Sequence, residues 1–192
     1  VFMGTYLNDY ADIIKNAGLY TEAQSVTGLS QSVLTNRISY LLDLKGPSEP
    51  VDTACSSSLV SIRKGVENIR NGKCDLVLAG GVGLLLDPKW YTSLTQAGML
   101  SEDGRCKTFD ESANGYVRSE GVGVVVLKPL SQAEKDGDRI YGIIRGTSQN
   151  HGGKANTLTS PNPNAQSSLI VEAFKDAEVN PADVTYIETH GT

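Results

Sequence analysis

Two residues in this chain stand where side chains can do covalent chemistry. They are Cys55, in "PVDTACSSSLVSI" (residues 50–62), and His190, in "TYIETHGT" (185–192). Cys55 lies at the seam between a short extended run, "VDTA", and a helix-like run. A side chain at such a strand-to-helix turn projects beyond the sheet edge, as in the nucleophile elbow of hydrolases. It also lies over unsatisfied N–H groups and the positive end of a helix dipole. Both favour the thiolate, the reactive form of cysteine. The small residues around it leave room for a substrate. The competing reading is an inert, buried packing cysteine, a common fate of a free Cys, and position alone leaves both open. His190 follows an apolar run and precedes Gly191, which puts it at a strand end. Open α/β sheets hold their ligands at strand carboxyl ends, so a Cys and a His at two such ends can converge. A structural histidine bonded to a loop carbonyl is the alternative. His151, in "QNHGGK", has a weaker claim, since nothing directs it at Cys55.

The elements that must position these residues follow from periodicity. Residues 27–44 place Leu34, Ile38, Leu41 and Leu42 at helical spacing, and "GPSEP" ends that helix. Residues 57–71 carry Leu59, Ile62, Val66 and Ile69 at three- and four-residue steps, predicting one buried stripe that stops at "NG". "CDLVLAGGV" (74–82) reads as a buried strand, giving strand, helix and strand in the span of a βαβ unit. A long irregular region, 84–120, follows. "EGVGVVVLKPL" and "RIYGIIRGTSQN" read as antiparallel neighbouring strands joined by the polar "SQAEKDGD". "NHGGKANTLTSPNPNAQ" is a loop. Residues 166–177 predict a helix with Leu169, Ile170, Ala173, Phe174 and Ala177 on one face, and "DVTYIETH" a last strand. The class is α/β with a layered sheet.

Composition narrows the function. The 192 residues carry 17 Lys and Arg against 22 Asp and Glu, a net charge of −5, with the basic residues scattered. That pattern argues against nucleic acid and against a membrane surface. Apolar runs such as "GVGVVVL" are strand-sized, too short for membrane insertion. No signal peptide is expected. Cys55, Cys74 and Cys106 are three cysteines with no CxxC pair, so neither a disulfide framework nor a zinc site is expected, and the expected compartment is reducing and cytoplasmic. Both ends read as cut, with Val1 in place of an initiating Met and "VFMG" already the end of a strand, so the chain is expected to be part of a larger domain.

Other motifs read as structure. Gly80, Gly81 and Gly83 in "LAGGVGLLLDP" lack the GKS/T and the following helix of a nucleotide site, and predict close backbone packing. "FDESANGYVRSEG" brings Asp110, Glu111, Arg118 and Glu120 together without His or EF-hand spacing, and predicts a buried ion-pair network instead of a metal site. Cys74 and Cys106 read as structural, and Trp90 and Tyr91 as packing residues that begin an amphipathic segment.

These residues carry a family resemblance. "VDTACSSSLV" resembles the active-site segment of β-ketoacyl synthases, the condensing enzymes of polyketide and fatty-acid assembly. "GMLSEDGRCKTFDESANGYVRSEGVGVVVLKPL" resembles their middle signature, and "YIETHGT" the opening of their first histidine motif. Order and spacing agree over nearly the whole chain. "SVLTNRISYLLDLKGPSEPVDTACSSSL" and "GGKANTLTSPNPNAQ" are most similar to ketosynthase domains of modular polyketide synthases served by a separate, trans-acting acyltransferase. The resemblance implies a thiolase-like, layered α-β-α-β-α fold, of which residues 1–181 are most of the first half and 182–192 the start of the second. It implies Cys55 as the acyl-accepting nucleophile, His190 as the first catalytic histidine and Thr192 as a contact to the pantetheine arm. The family's second histidine and its lysine lie in a motif this sequence does not reach, so the 192 residues alone are expected to be inactive. The implied reaction is a decarboxylative Claisen condensation with no metal and no cofactor bound by the domain, its substrates riding on the phosphopantetheine of an acyl carrier protein. A homodimer is the implied assembly. A non-condensing ketosynthase that only passes acyl chains along, a fatty-acid-type condensing enzyme and a cysteine hydrolase built from Cys55 and His190 stay open.

Overall fold

Phe2–Gly4 form β1, buried along its whole length. In this computed structural model, which describes residues 1–192, β1 pairs in parallel with β2 (Glu49–Val51) on one side and β3 (Val77–Gly83) on the other. A fourth strand, β4 (Gly121–Leu127), completes the order β2-β1-β3-β4. The register sets Gly4 opposite both Val51 and Gly81. Parallel strands are joined by crossovers that cover their faces, so their buried positions run on without alternation. Phe2, Met3, Val51, Val77 and Ala79 are accordingly the most buried apolar side chains.

The chain forms two compact units. One comprises Val1–Ile62, Leu78–Val125 and Glu188–Thr192, the other Arg63–Val77 and Val126–Ile187. The first holds β1, α1 (Asp9–Asn16), α2 (Ser25–Leu29), α3 (Gln31–Leu41), β2 and α5 (Lys89–Gln96). The single helix expected over 27–44 is two helices. Ser30 takes an extended ψ of 122° between them, and its hydroxyl bonds Ser32 Oγ at 2.9 Å. The buried face of α3 also differs from the apolar pattern. Thr35 and Ser39 are buried, Leu34 and Ile38 half-buried, and Leu41 and Leu42 exposed. Local bonds make the polar burial possible: Ser39 Oγ meets Ser48 Oγ at 2.8 Å, and Thr35 Oγ1 donates to the Ser32 carbonyl. α5 lies inside the stretch expected to be irregular.

α4 (Ser57–Arg70) forms where predicted and ends beside Asn71–Gly72, but its buried stripe is Ser57, Val60, Ser61, Gly65 and Val66. Leu59, expected inside, is 70 % exposed. Size decides this. A Cβ added to Gly4 would fall 2.7 Å from the Ser58 nitrogen, and one added to Gly81 would fall 3.0 Å from Ser58 Cβ. The first turn of α4 rests so closely on β1 and β3 that only small residues fit between. Gly81 thus packs closely as expected of the glycine run, and Gly80 abuts the β4 backbone at Gly123, whereas Gly83 faces open space.

In the second unit, the polar run expected to link two antiparallel strands is a helix, α6 (Leu130–Asp136), closed by Gly137 and by Lys128, which bonds both Asp136 and Asp138. Gln, Ala, Glu and Lys are helix formers, and local propensity wins there. Residues 139–150 and 184–191 form no strands. Their β-branched and aromatic content favours strands, but a strand also needs a ladder partner, and Tyr141, Tyr186 and Ile187 stand exposed. α7 (Pro163–Ala177) starts three residues earlier than its periodicity suggests, because Asn162 Oδ1 accepts from the Asn164 and Ala165 amides at 3.1 and 3.3 Å and Pro163 opens the first turn. Leu169, Ala173, Phe174 and Ala177 are half-buried as expected, whereas Ile170 is exposed. Asp176 of α7 accepts two 2.9 Å bonds from Arg70 and one of 2.7 Å from the Thr147 amide. These bonds hold its carboxyl below the ordinary carboxylate range, the Thr147 bond most of all. No helix of the chain is long and apolar enough to cross a membrane.

Candidate active site

β2 ends at Val51, Asp52 and Thr53 lead into a 3-10 turn at Ala54–Ser56, and α4 begins at Ser57. Cys55 is the middle residue of that turn. Ala54 has a φ of +55°, a left-handed conformation that costs a residue with a Cβ something of order 1–2 kcal/mol. Its neighbours hold it there. Asp52 Oδ1 accepts from the Ala54 amide at 3.0 Å. Ser57 Oγ accepts from the Thr53 amide at 2.9 Å and donates to the Ala54 carbonyl at 2.6 Å. Ser56 Oγ donates to the Thr53 carbonyl at 2.9 Å. The run of hydroxyls and the aspartate therefore build the turn, and none of these bonds uses the Cys55 amide.

Cys55 is exposed and lines a cavity of about 310 Å³ with Gly4, Thr5, Tyr6, Ser58, Gly81 and Gly123 among its walls. The glycines that let α4 approach the sheet thus also hollow the space beside the sulfur. The Cys55 sulfur stands two residues before a 14-residue helix, and a helix N-terminus favours negative charge that develops beside it. The cavity shares Thr5, Tyr6 and Val82 with a second one of about 360 Å³ that runs past Asn8, Asp9, Tyr10 and Arg37. Asp9 is buried, and its Oδ2 accepts from the Leu86 and Asp87 amides at 3.2 and 3.4 Å.

His190 lies in the irregular segment after Val184, exposed, in the same compact unit as Cys55 and outside the residues that line the Cys55 cavity. Thr192 is exposed as well. Gly191, between them, has a φ of +67°, and its carbonyl accepts a 2.5 Å bond from Thr108 Oγ1. His151 is an exposed loop residue whose Nδ1 accepts from the Gly153 amide at 2.9 Å. Cys74 is half-buried. Cys106 is exposed, and its sulfur accepts from the Val117 amide at 3.4 Å.

The acidic and basic residues of "FDESANGYVRSEG" do not form the expected ion-pair network. Asp110 turns back on the Ser112 amide and hydroxyl at 2.8 and 2.6 Å, Glu111 is exposed, and Glu120 accepts from the Leu85 amide at 2.8 Å. The Arg118 guanidinium stacks 4.8 Å from the Tyr91 ring centre. Asp110, Glu120 and Arg118 each meet a backbone group, a hydroxyl or a ring instead of one another, which charge signs in the sequence cannot reveal. The residue of this segment that feels Cys55 electrostatically is Tyr116, which the motif reading passed over. Burial raises its phenol above the ordinary value against the opposing pull of Arg118, with Tyr6 and Cys55 both close enough to add to the rise. The one signal in the sequence was an aromatic residue, Tyr116, between the polar ends of that motif. Thr108 was likewise missed.

Comparison with known proteins identifies the lineage. The family model for the β-ketoacyl synthase N-terminal domain matches residues 1–133, and that for the β-ketoacyl synthase C-terminal domain matches residues 141–192. The chain belongs to the β-ketoacyl synthase family. It is 47 % identical over its whole length to polyketide synthase PksN of Bacillus subtilis and 48 % identical to probable polyketide synthase 1 of Dictyostelium discoideum, of which it spans 4 % and 6 %. Among solved structures it is similar to the ketosynthase from module 6 of the bacillaene synthase of Bacillus subtilis (42 % identity, TM-score 0.90, 99 % of this chain and 31 % of that one). It is also similar to an oxazolomycin ketosynthase domain of Streptomyces albus (42 % identity, TM-score 0.93, all of this chain and 33 % of that one). The fold is the thiolase-like α/β fold that the sequence motifs imply.

Proposed function

We propose that this chain carries the acyl-accepting part of a ketosynthase site in polyketide assembly. The observation behind the reading is Cys55 itself: an exposed thiol on a strained turn, with a free amide N–H, at the start of α4 and beside a cavity large enough for a thioester arm. The Cys55 sulfur attacks the carbonyl of an acyl thioester as the thiolate, the carrier's sulfur leaves as a thiolate that takes a proton from water, and the chain is held as a new thioester. The Cys55 amide, on a helix N-terminus, stabilises the oxyanion of that exchange. A malonyl-type extender on a second acyl carrier protein then loses CO₂. The resulting carbanion attacks the Cys55-bound carbonyl, Cys55 leaves as thiolate, and a β-ketoacyl chain departs on the carrier's phosphopantetheine.

In this reading His190 serves the extender half-reaction, with Thr192 against the pantetheine arm. The domain itself binds no metal or organic cofactor. It works in the cytoplasm as a homodimer, and its similarity to PksN and to the bacillaene ketosynthase favours an extender delivered by a separate, trans-acting acyltransferase. The test is mass spectrometry of the intact ketosynthase domain given an acyl thioester and then a malonyl carrier protein. An acyl adduct on Cys55, followed by a β-ketoacyl product on the carrier, is expected. Steady release of free acid with no carbon–carbon bond formed would make the protein a hydrolase instead.

A further inference from the structure

We propose that Thr108 is a positioning residue for His190: by holding the Gly191 carbonyl, its hydroxyl fixes the turn that aims the histidine beside it. The inference rests on His190 serving the extender half-reaction. Thr108 Oγ1 donates to the Gly191 carbonyl at 2.5 Å across 83 residues of sequence. A Cβ added at Gly191 would meet Thr108 Cγ2 at 3.4 Å and Oγ1 at 3.6 Å, so both branches of the threonine face this glycine. Glycine is the residue least restrained by its own side chain, and Gly191 follows His190 with a φ of +67°. Without an outside restraint the histidine would sample many directions. An acid–base or charge-stabilising group loses most of its effect when it is misplaced by even an ångström.

The loop that carries Thr108 is built to hold it still. Lys107 and Phe109, on either side, have φ values of +46° and +65°, left-handed conformations that bulky residues avoid and keep only where surrounding structure imposes them. That structure is present. Lys107 Nζ bonds Asp103 Oδ2 at 2.8 Å, Ser101 Oγ donates to Asp103 Oδ1 at 2.6 Å, and the Asp110 amide returns to the Lys107 carbonyl at 3.0 Å. The Lys107 bond, helped by Ser101, pulls the Asp103 carboxyl down to about 2, so that carboxylate stays ionised throughout the neutral range. The strained pair turns one hydroxyl toward the residue next to His190.

The experiment separates the two half-reactions in the intact ketosynthase domain. Thr108→Val keeps the shape and removes the donor, Thr108→Ala removes it without a β-branch, and Thr108→Ser keeps it. Cys55 acylation from an acyl thioester should stay within about twofold of wild type in all three, which also reports a folded site. The kcat for β-ketoacyl formation should fall about tenfold in the Val and Ala variants with little change in KM for the malonyl carrier, the size of effect expected from one hydrogen bond. Thr108→Ser should recover to within about twofold. Wild-type condensation in both donor-less variants, an equal loss in acylation and condensation, or failure of Ser to recover the rate would each overturn the proposal. His190→Ala, measured alongside, separates the premises. If it condenses normally, the assigned role of His190 is wrong and the Thr108 proposal goes with it. If it is inactive while Thr108→Val and Thr108→Ala are normal, only the Thr108 proposal is wrong.

Discussion

Gly4 and Ser58 stand so close that a Cβ on the glycine would lie 2.7 Å from the serine's backbone nitrogen. The contact joins the central strand to the helix that starts two residues after Cys55, so the position of the nucleophile depends on the absence of one methyl group. Gly4→Ala meets backbone, which cannot rotate away, and should destabilise the fold by about 1–3 kcal/mol in denaturant unfolding. It should also slow Cys55 acylation, because α4 must retreat. Gly81→Ala meets the Ser58 side chain at 3.0 Å and should cost less. Gly81→Ala being the more damaging of the two would contradict this account of the packing.

The three cysteines should differ in reactivity. Cys55 is exposed at a helix N-terminus, Cys106 is exposed but bonded to the Val117 amide, and Cys74 is half-buried. A limiting amount of thiol reagent at neutral pH should label Cys55 first, then Cys106, then Cys74, as read by peptide mapping over time. Cys55→Ala should remove all acyl loading in an intact domain. A normal acyl adduct on that variant would leave the proposed mechanism without its nucleophile.

The sequence showed the site's chemistry more clearly than its walls. The seam at Cys55 was legible because small polar residues, a short extended run and a helical period meet there, and α4 follows where it should. The stripe on α4 was legible only in part: Val66 is buried and Ile62 and Ile69 are half-buried, but Leu59 is exposed. Leu59, Ile62, Val66 and Ile69 keep perfect helical spacing, yet the face that meets the sheet needs Ser57, Ser61 and Gly65, and hydrophobicity patterns do not register how close two backbones come. The segments 139–150 and 184–191 show the reverse. Their residues favour strands, but ladder pairing is a property of neighbours in space and not of composition. Thr108 and Tyr116 were missed for a third reason: each acts across more than 60 residues of sequence, on Gly191 and near Cys55, and no local pattern marks such a pair.

Acid should loosen the second unit through Asp176. Its carboxyl is held below the ordinary value first by the Thr147 amide and then by Arg70. A folded-state pKa below the unfolded one means the stabilisation is present above the ordinary carboxylate range, near about 4, and is lost as pH falls through the lowered value. The thermal midpoint of wild type should therefore drop more steeply below about pH 4 than that of Asp176→Asn, while the wild type is the more stable of the two at neutral pH. The difference should be small, because exposed pairs contribute little. Parallel pH curves for the two proteins would show that these bonds carry no linkage.

The proposed division of labour between Cys55 and His190 can be tested directly. Cys55 lies in its cavity with its own amide and the α4 N-terminus as electrostatic support, and His190 is not among the residues lining that cavity. With His190 outside that cavity, acyl transfer to the Cys55 sulfur is assigned no histidine base, whereas decarboxylation of the extender builds negative charge that a cation or N–H donor must meet. His190→Ala in an intact domain should therefore keep substantial self-acylation, within about tenfold of wild type, and lose β-ketoacyl product by at least about a hundredfold, the scale of removing one positioned acid–base or oxyanion group. His190→Gln, which keeps an N–H donor, should retain more decarboxylation of a malonyl carrier than His190→Ala if the group acts by hydrogen bonding to the developing enolate. Single-turnover acylation by mass spectrometry and CO₂ release from the extender read the two steps separately. Equal large losses in both would make His190 the general base of Cys55, and the roles given to the two residues here would have to be exchanged for a coupled Cys–His pair.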